Sequence, residues 1–95
     1  MKKICFIHDY EVGMIVENVK DKTRYVVIET FPNVDDDYYS VVNLITEEDY
    51  LKMRGRSYSS SDFYISLQIE SYNQSDFEYT GKSVIIEIET VFKLR

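Results

Sequence analysis

The chain has 95 residues, 44% apolar and 29% charged, which is enough for one core and leaves no room for a second lobe. Three glycines, one proline and 15% aromatic residues exclude a collagen-like or disordered chain. The formal net charge of −6 disfavours direct contact with nucleic-acid phosphates and allows association with a basic partner.

The single cysteine, Cys5, has no intramolecular partner, so a reducing, cytoplasmic setting is expected. The opening MKKICFIHDY begins like a signal peptide, but its apolar run stops at His8 and Asp9. That is too short for an h-region or a membrane span. Met1 therefore reads as the natural start, with no membrane association, and residues 1–95 read as a single β-rich domain.

Lys2 to His8 reads as a strand, with Ile4, Phe6 and His8 on one face and Cys5 and Ile7 on the other. Gly13 to Val19 is a second strand, and the polar KDKT at 20–23 a hairpin turn. Arg24 to Phe31, RYVVIETF, is a β-branched third strand that Pro32 ends. Asn33 to Asp37 is an acidic loop. Tyr38 to Ile45 is a fourth strand, apolar on both faces near its end and so suited to the sheet interior.

At Thr46 the period changes. Thr46 is a good N-cap, and Glu47, Glu48 and Asp49 put negative charge on a first helical turn. Ile45 and Tyr50 stand at the positions of a hydrophobic staple. Lys52 and Arg54 suit the last turn and Gly55 the residue after it, so 47–54 reads as one short helix. Arg56 to Ser61 is a loop. Asp62 to Tyr72 alternates, with Phe63, Ile65, Leu67 and Ile69 inward. Asn73 to Gly81 reads as a polar turn region. Lys82 to Leu94 is a last strand with Val84, Ile86 and Ile88 inward, and Ile85 suggests a partly covered outer face. The fold class is mainly β: about six strands in an antiparallel twisted sheet or a small SH3-like barrel, with one short helix near 47–54. EVGMIVENV followed by RYVVIE resembles the entry hairpin of SH3-like barrels, through a glycine before a strand and a polar hairpin that many small β-proteins share.

The residues exclude most chemistry. Cys5 and His8, three apart on a strand, point to opposite faces, and Cys5 is expected to be a small buried apolar residue. Ser57, Ser59, Ser60 and Ser61 lack a nucleophile-elbow context. No CxxC, HExxH or EF-hand spacing is present, and three consecutive acids in a loop are ordinarily just solvated. No catalytic residue, metal or cofactor is expected, and the chain does not read as an enzyme.

The distinctive stretch is Asp35 to Tyr50, which holds six carboxylates and no Lys or Arg, leaving 11 acids and 11 bases elsewhere. Glu47, Glu48 and Asp49 are already explained by helix capping. Asp35, Asp36 and Asp37, followed by Tyr38 and Tyr39, have no such local explanation. The leading expectation is a non-enzymatic inhibitor or adaptor, of the kind phage and mobile-element accessory proteins provide. It would occlude a basic surface of a nucleic-acid-handling or defence protein through Asp35, Asp36, Asp37, Tyr38, Tyr39, Glu47 and Glu48. The alternative is a small-ligand protein, a nucleotide-sequestering oligomer, gripping an anion with Lys52, Arg54, Arg56, Ser57 and Tyr58. The free edges of an antiparallel sheet would also allow a homo-oligomer.

Overall fold

A computed structural model describes residues 1–36, 39–53 and 65–86. Its strands are β1 (Lys2–Lys3), β2 (Met14–Asn18), β3 (Arg24–Phe31), β4 (Val41–Thr46), β5 (Leu67–Ile69) and β6 (Phe77–Ser83), with one helix, α1 (Glu47–Met53). They form one antiparallel six-stranded sheet in the order β1-β6-β2-β3-β4-β5. The mainly β class is therefore as expected. Among the described residues β1 and β5 each pair with a single strand, so these six strands form an open sheet.

Alternation along β2, β3 and β4 sends side chains to both faces, and both are covered. One face buries Val16, Val27, Val42, Leu44, Ile69 and Phe77 beneath the N-terminal residues Ile4, Ile7 and Tyr10. Tyr25 meets Phe77 edge to face, with ring centroids 5.9 Å apart. The other face buries Ile15, Val26, Ile28 and Ile45 beneath Tyr50 and Met53 of α1 and beneath Val84 and Ile86. This two-sided burial explains why β4 is apolar on both faces. It lies inside the sheet, between β3 and β5.

β3 has the predicted bounds, and α1 begins where the cap signal placed it. The Asp49 N–H donates to Thr46 Oγ1 at 3.1 Å, and Tyr50 packs against the cluster containing Ile45, as the staple requires. The N-terminal strand is a correction: it stops at Lys3, and Ile7–Asp9 is a 3₁₀ turn. Ile4, Ile7 and Tyr10 are all buried, and Phe6 and Cys5 are exposed, so the period here is three rather than two. Cys5 is thus not the buried apolar residue expected.

The last strand is a second correction. Phe77–Ser83 forms β6 where a turn was expected, and 84–86 is not strand; the rest of the expected strand, 87–95, lies outside the described residues. Burying Phe77 is worth about 1.5–3 kcal/mol. A glycine inside a strand costs only about 0.5–1 kcal/mol. Gly81 is absorbed by a bulge. Met14 pairs with Ser83 and Val16 with Tyr79, so Thr80, Gly81 and Lys82 stand opposite Ile15. Gly81 takes φ +87° there, and Thr80 Oγ1 donates to the Ile15 carbonyl at 2.7 Å. Ile85 is 83% exposed, so among the described residues the cover expected over this outer face is not found.

Of the strand expected over 62–72, β5 takes three residues, with Ile69 buried and Leu67 half-buried; 65–66 and 70–72 are not strand, Ile65 is exposed rather than inward, and 62–64, with Phe63, lie outside the described residues. The buried Asn73 turns back onto this strand. Its Oδ1 accepts the Glu70 N–H at 2.7 Å, and its Nδ2 donates to the Gln68 carbonyl at 3.2 Å. The side-chain amide thereby occupies backbone groups of an edge strand.

Candidate functional site

The β3–β4 loop is built from three short-range signals. Pro32 ends β3, since it has no N–H to donate to the ladder. Asn33 then forms an Asx turn, its Oδ1 accepting the N–H groups of Asp35 at 3.0 Å and Asp36 at 3.2 Å. The Tyr39 N–H closes on the Asp36 carbonyl at 3.1 Å. At the far end Ser40, 2% exposed, accepts the Asn33 N–H on its hydroxyl at 2.9 Å. The loop is therefore tied across its neck as well as along its length.

The neck is tied to the N-terminus too. Ser40 Oγ stands 3.2 Å from Nε2 of His8, the sole histidine. A serine beside a histidine is the contact a nucleophile and its base would make. Here the hydroxyl is buried and already holds the Asn33 amide, which makes it a tether between the loop and the 3₁₀ turn. The serines weighed from the sequence, Ser57, Ser59, Ser60 and Ser61, lie outside the described residues.

Around these ties the loop exposes an unusual mixture. Asp35 and Asp36 are exposed. So are Val34 at 90% and Tyr39 at 65%, together with Phe31, the last residue of β3, at 52%. Phe6, 64% exposed, precedes the turn that carries His8. Single exposed apolar residues are ordinary; here three fall within nine residues of chain, beside two exposed carboxylates.

At the neck of the loop lies a cavity of about 220 Å³, bounded by Ile7, Tyr10, Pro32, Val41 and Val42 together with the polar His8, Thr30 and Ser40. Tyr10 is held by donating its hydroxyl to the Gln74 carbonyl at 2.7 Å. Burial, reinforced by the charge of Asp76, pushes that hydroxyl's pKa above the ordinary tyrosine range. A second cavity, about 370 Å³, lies on the other side of His8, between Lys2, Lys3 and the Tyr79–Ser83 hydroxyl pair.

The sequence-derived residues do not form one surface. Glu47 and Glu48 follow β4 while Asp35 and Asp36 precede it, so the six-residue strand keeps them roughly 20 Å apart. Glu48 and Asp49 are engaged by Lys52, at 3.5 and 4.0 Å, in exposed pairs within the helix. Lys52, expected to grip an anion, is thus already facing carboxylates. Its companions Arg54, Arg56, Ser57 and Tyr58 lie outside the described residues, as do Asp37 and Tyr38. Ser40, His8, Phe31 and Val34 were missed. The Asn33–Asp35 Asx turn was legible as a local pattern, whereas the Ser40–His8 contact joins residues 32 apart. Among the described residues no group of three or more His, Cys, Asp or Glu is placed to hold a metal ion. Among them, too, no helix is long and apolar enough to cross a membrane.

No protein-family model, curated protein or solved structure matches this chain.

Proposed function

We propose that this protein is a non-enzymatic, cytoplasmic inhibitor or adaptor that binds a basic surface of a nucleic-acid-handling or defence protein through its β3–β4 loop. The observation that carries this reading is the pinned loop itself. Asp35 and Asp36 are held by the Asn33 side chain, the neck is held by Ser40, and Phe31, Val34 and Tyr39 project into solvent beside them. Pre-ordering lowers the entropy lost on binding. The carboxylates supply attraction to, and orientation on, a basic partner. Glu47 and Glu48 are left to helix capping.

The test is affinity capture from the native cell with the wild-type chain and with the double variant Asp35→Lys/Asp36→Lys, read by mass spectrometry. A partner retained by the wild type and lost by the variant, with the circular dichroism of the two chains unchanged, supports the proposal. Equal retention by both would remove the loop from it.

A further inference from the structure

We propose that the cavity between β1, β6 and the 3₁₀ turn is a binding site for a small zwitterion of the free α-amino acid class. No residue of the β3–β4 loop lines it, so the site stands apart from the contact surface assigned to that loop. Its floor follows from the sheet register. Residues opposite each other on an antiparallel ladder share a face. Lys2 stands opposite Tyr79, and Met14 opposite Ser83. Tyr79 and Met14 both pack in the first core cluster, so all four lie on the face beneath the N-terminal residues. On a regular strand Tyr79 and Ser83 would stand about 13 Å apart. The bulge at 80–82 draws them together, and their hydroxyls meet at 2.7 Å. The wall is the chain from His8 to Glu11, which brings Asp9 and Glu11 to the cavity. His8 Nε2 stands 3.2 Å from Ser40 Oγ instead.

The charges select the ligand. Lys2 and Lys3 bring positive charge to the lining, and Asp9 and Glu11 bring negative charge, all four residues being exposed. Among the described residues no ion pair joins either lysine to either carboxylate. Opposite charges therefore border one cavity without neutralising each other at contact distance. A simple anion entering here is attracted by the lysines and repelled by the acids, and a simple cation meets the reverse. A ligand carrying both charges gains at both ends, its carboxylate toward Lys2 and its ammonium toward Asp9 and Glu11. Of the Tyr79 and Ser83 hydroxyls, one donates to the other, which leaves a second proton and lone pairs for the ligand. The volume, about 370 Å³, falls within the roughly 300–1,000 Å³ of small-molecule sites. Ile4 and Met14, both buried, are the apolar part of the lining and would meet the ligand's carbon atoms.

The experiment titrates the full ¹⁵N-labelled chain with glycine, L-leucine and L-glutamine to about 10 mM, the weak end of measurable affinity. The N-acetyl form of each, which lacks the ammonium, and the carboxamide form, which lacks the carboxylate, are titrated alongside. At least one amino acid is expected to bind, with amide shifts centred on Lys3, Asp9, Tyr79 and Ser83. Both of its derivatives should bind about fivefold more weakly, the upper value for a solvated ion contact. Lys2→Gln should weaken the amino acid to the level of its carboxamide and leave the carboxamide unchanged. Derivatives that bind as tightly as their parents would overturn the zwitterion. Absence of binding by all three amino acids, or shifts centred elsewhere, would overturn the site. The wild-type comparison requires no variant, so a Lys2→Gln chain that does not fold would not spare the proposal. Each of these failures leaves the β3–β4 loop reading standing.

Discussion

Gly13 and Val84 are fitted to each other. The Gly13 carbonyl accepts the Val84 N–H at 2.8 Å, and a Cβ placed on Gly13 would collide with the Val84 carbonyl oxygen. Gly13 also has φ +97°, a region costly for any other residue. Gly13→Ala should therefore destabilise the protein by about 2–3 kcal/mol, combining backbone strain with displacement of the 84–86 segment. Urea denaturation checks the loss. Gly81→Ala, where a Cβ meets open space, should cost less, through its φ of +87° alone.

Removing the cap of α1 by Thr46→Ala should cost about 1 kcal/mol, because the Asp49 N–H loses its acceptor. Thr46→Ser keeps the hydroxyl and should recover most of that stability. Denaturant midpoints of the two variants decide it.

Tyr10 makes stability fall at alkaline pH. Its hydroxyl has a pKa raised in the folded state above the ordinary value of 10.0. The unfolded chain therefore loses this proton first, and the stabilisation present below pH 10 is lost as the pH rises beyond it. Tyr10→Phe should lower stability at neutral pH by about 1 kcal/mol for the missing hydrogen bond to the Gln74 carbonyl. It should also flatten the decline above pH 10. Urea midpoints between neutral and alkaline pH test both effects.

Ser40→Ala removes a hydroxyl that accepts the Asn33 N–H and stands within hydrogen-bond distance of His8 Nε2. The expected cost is about 1–2 kcal/mol. Amide exchange should quicken at Asn33 and at the Asx-turn amides of Asp35 and Asp36, with β2 and β3 unaffected. Exchange rates followed by NMR separate this local loosening from global destabilisation.

Asn73→Ala would uncover the Gln68 carbonyl and the Glu70 N–H on the β5 edge. Uncapped edge strands pair with other chains. The variant is expected to associate with rising concentration where the wild type does so less, and light scattering of the pair measures the difference.

The parts of this fold legible in the sequence are those written in neighbouring residues. β3 is a β-branched run between a polar turn and a proline, and α1 starts at a threonine followed by acids and a staple. The parts that were not legible depend on distant partners. Phe77 to Ser83 is polar enough to pass for a turn, and becomes a strand because Phe77 fills the core and a bulge accommodates Gly81. Ile4, Ile7 and Tyr10 carried a spacing of three, masked by the β-prone residues between them. In the loop, the carboxylates stood out from composition alone. The Ser40 tether and the cavity did not, because both require the N-terminal turn to fold back over β4.

The sheet order has a consequence for how the chain is assembled. β2, β3 and β4 follow one another and pair with their neighbours, so their contacts close over short stretches of chain. β6 instead enters between β1 and β2, aligning Lys2 with Tyr79. During synthesis, β1 has no strand to join and β2 has one open side until residue 83 has left the ribosome. A nascent chain stopped short of Phe77 would hold the central meander with its first strand stranded outside, so the beginning of this protein is put in place by its last described strand.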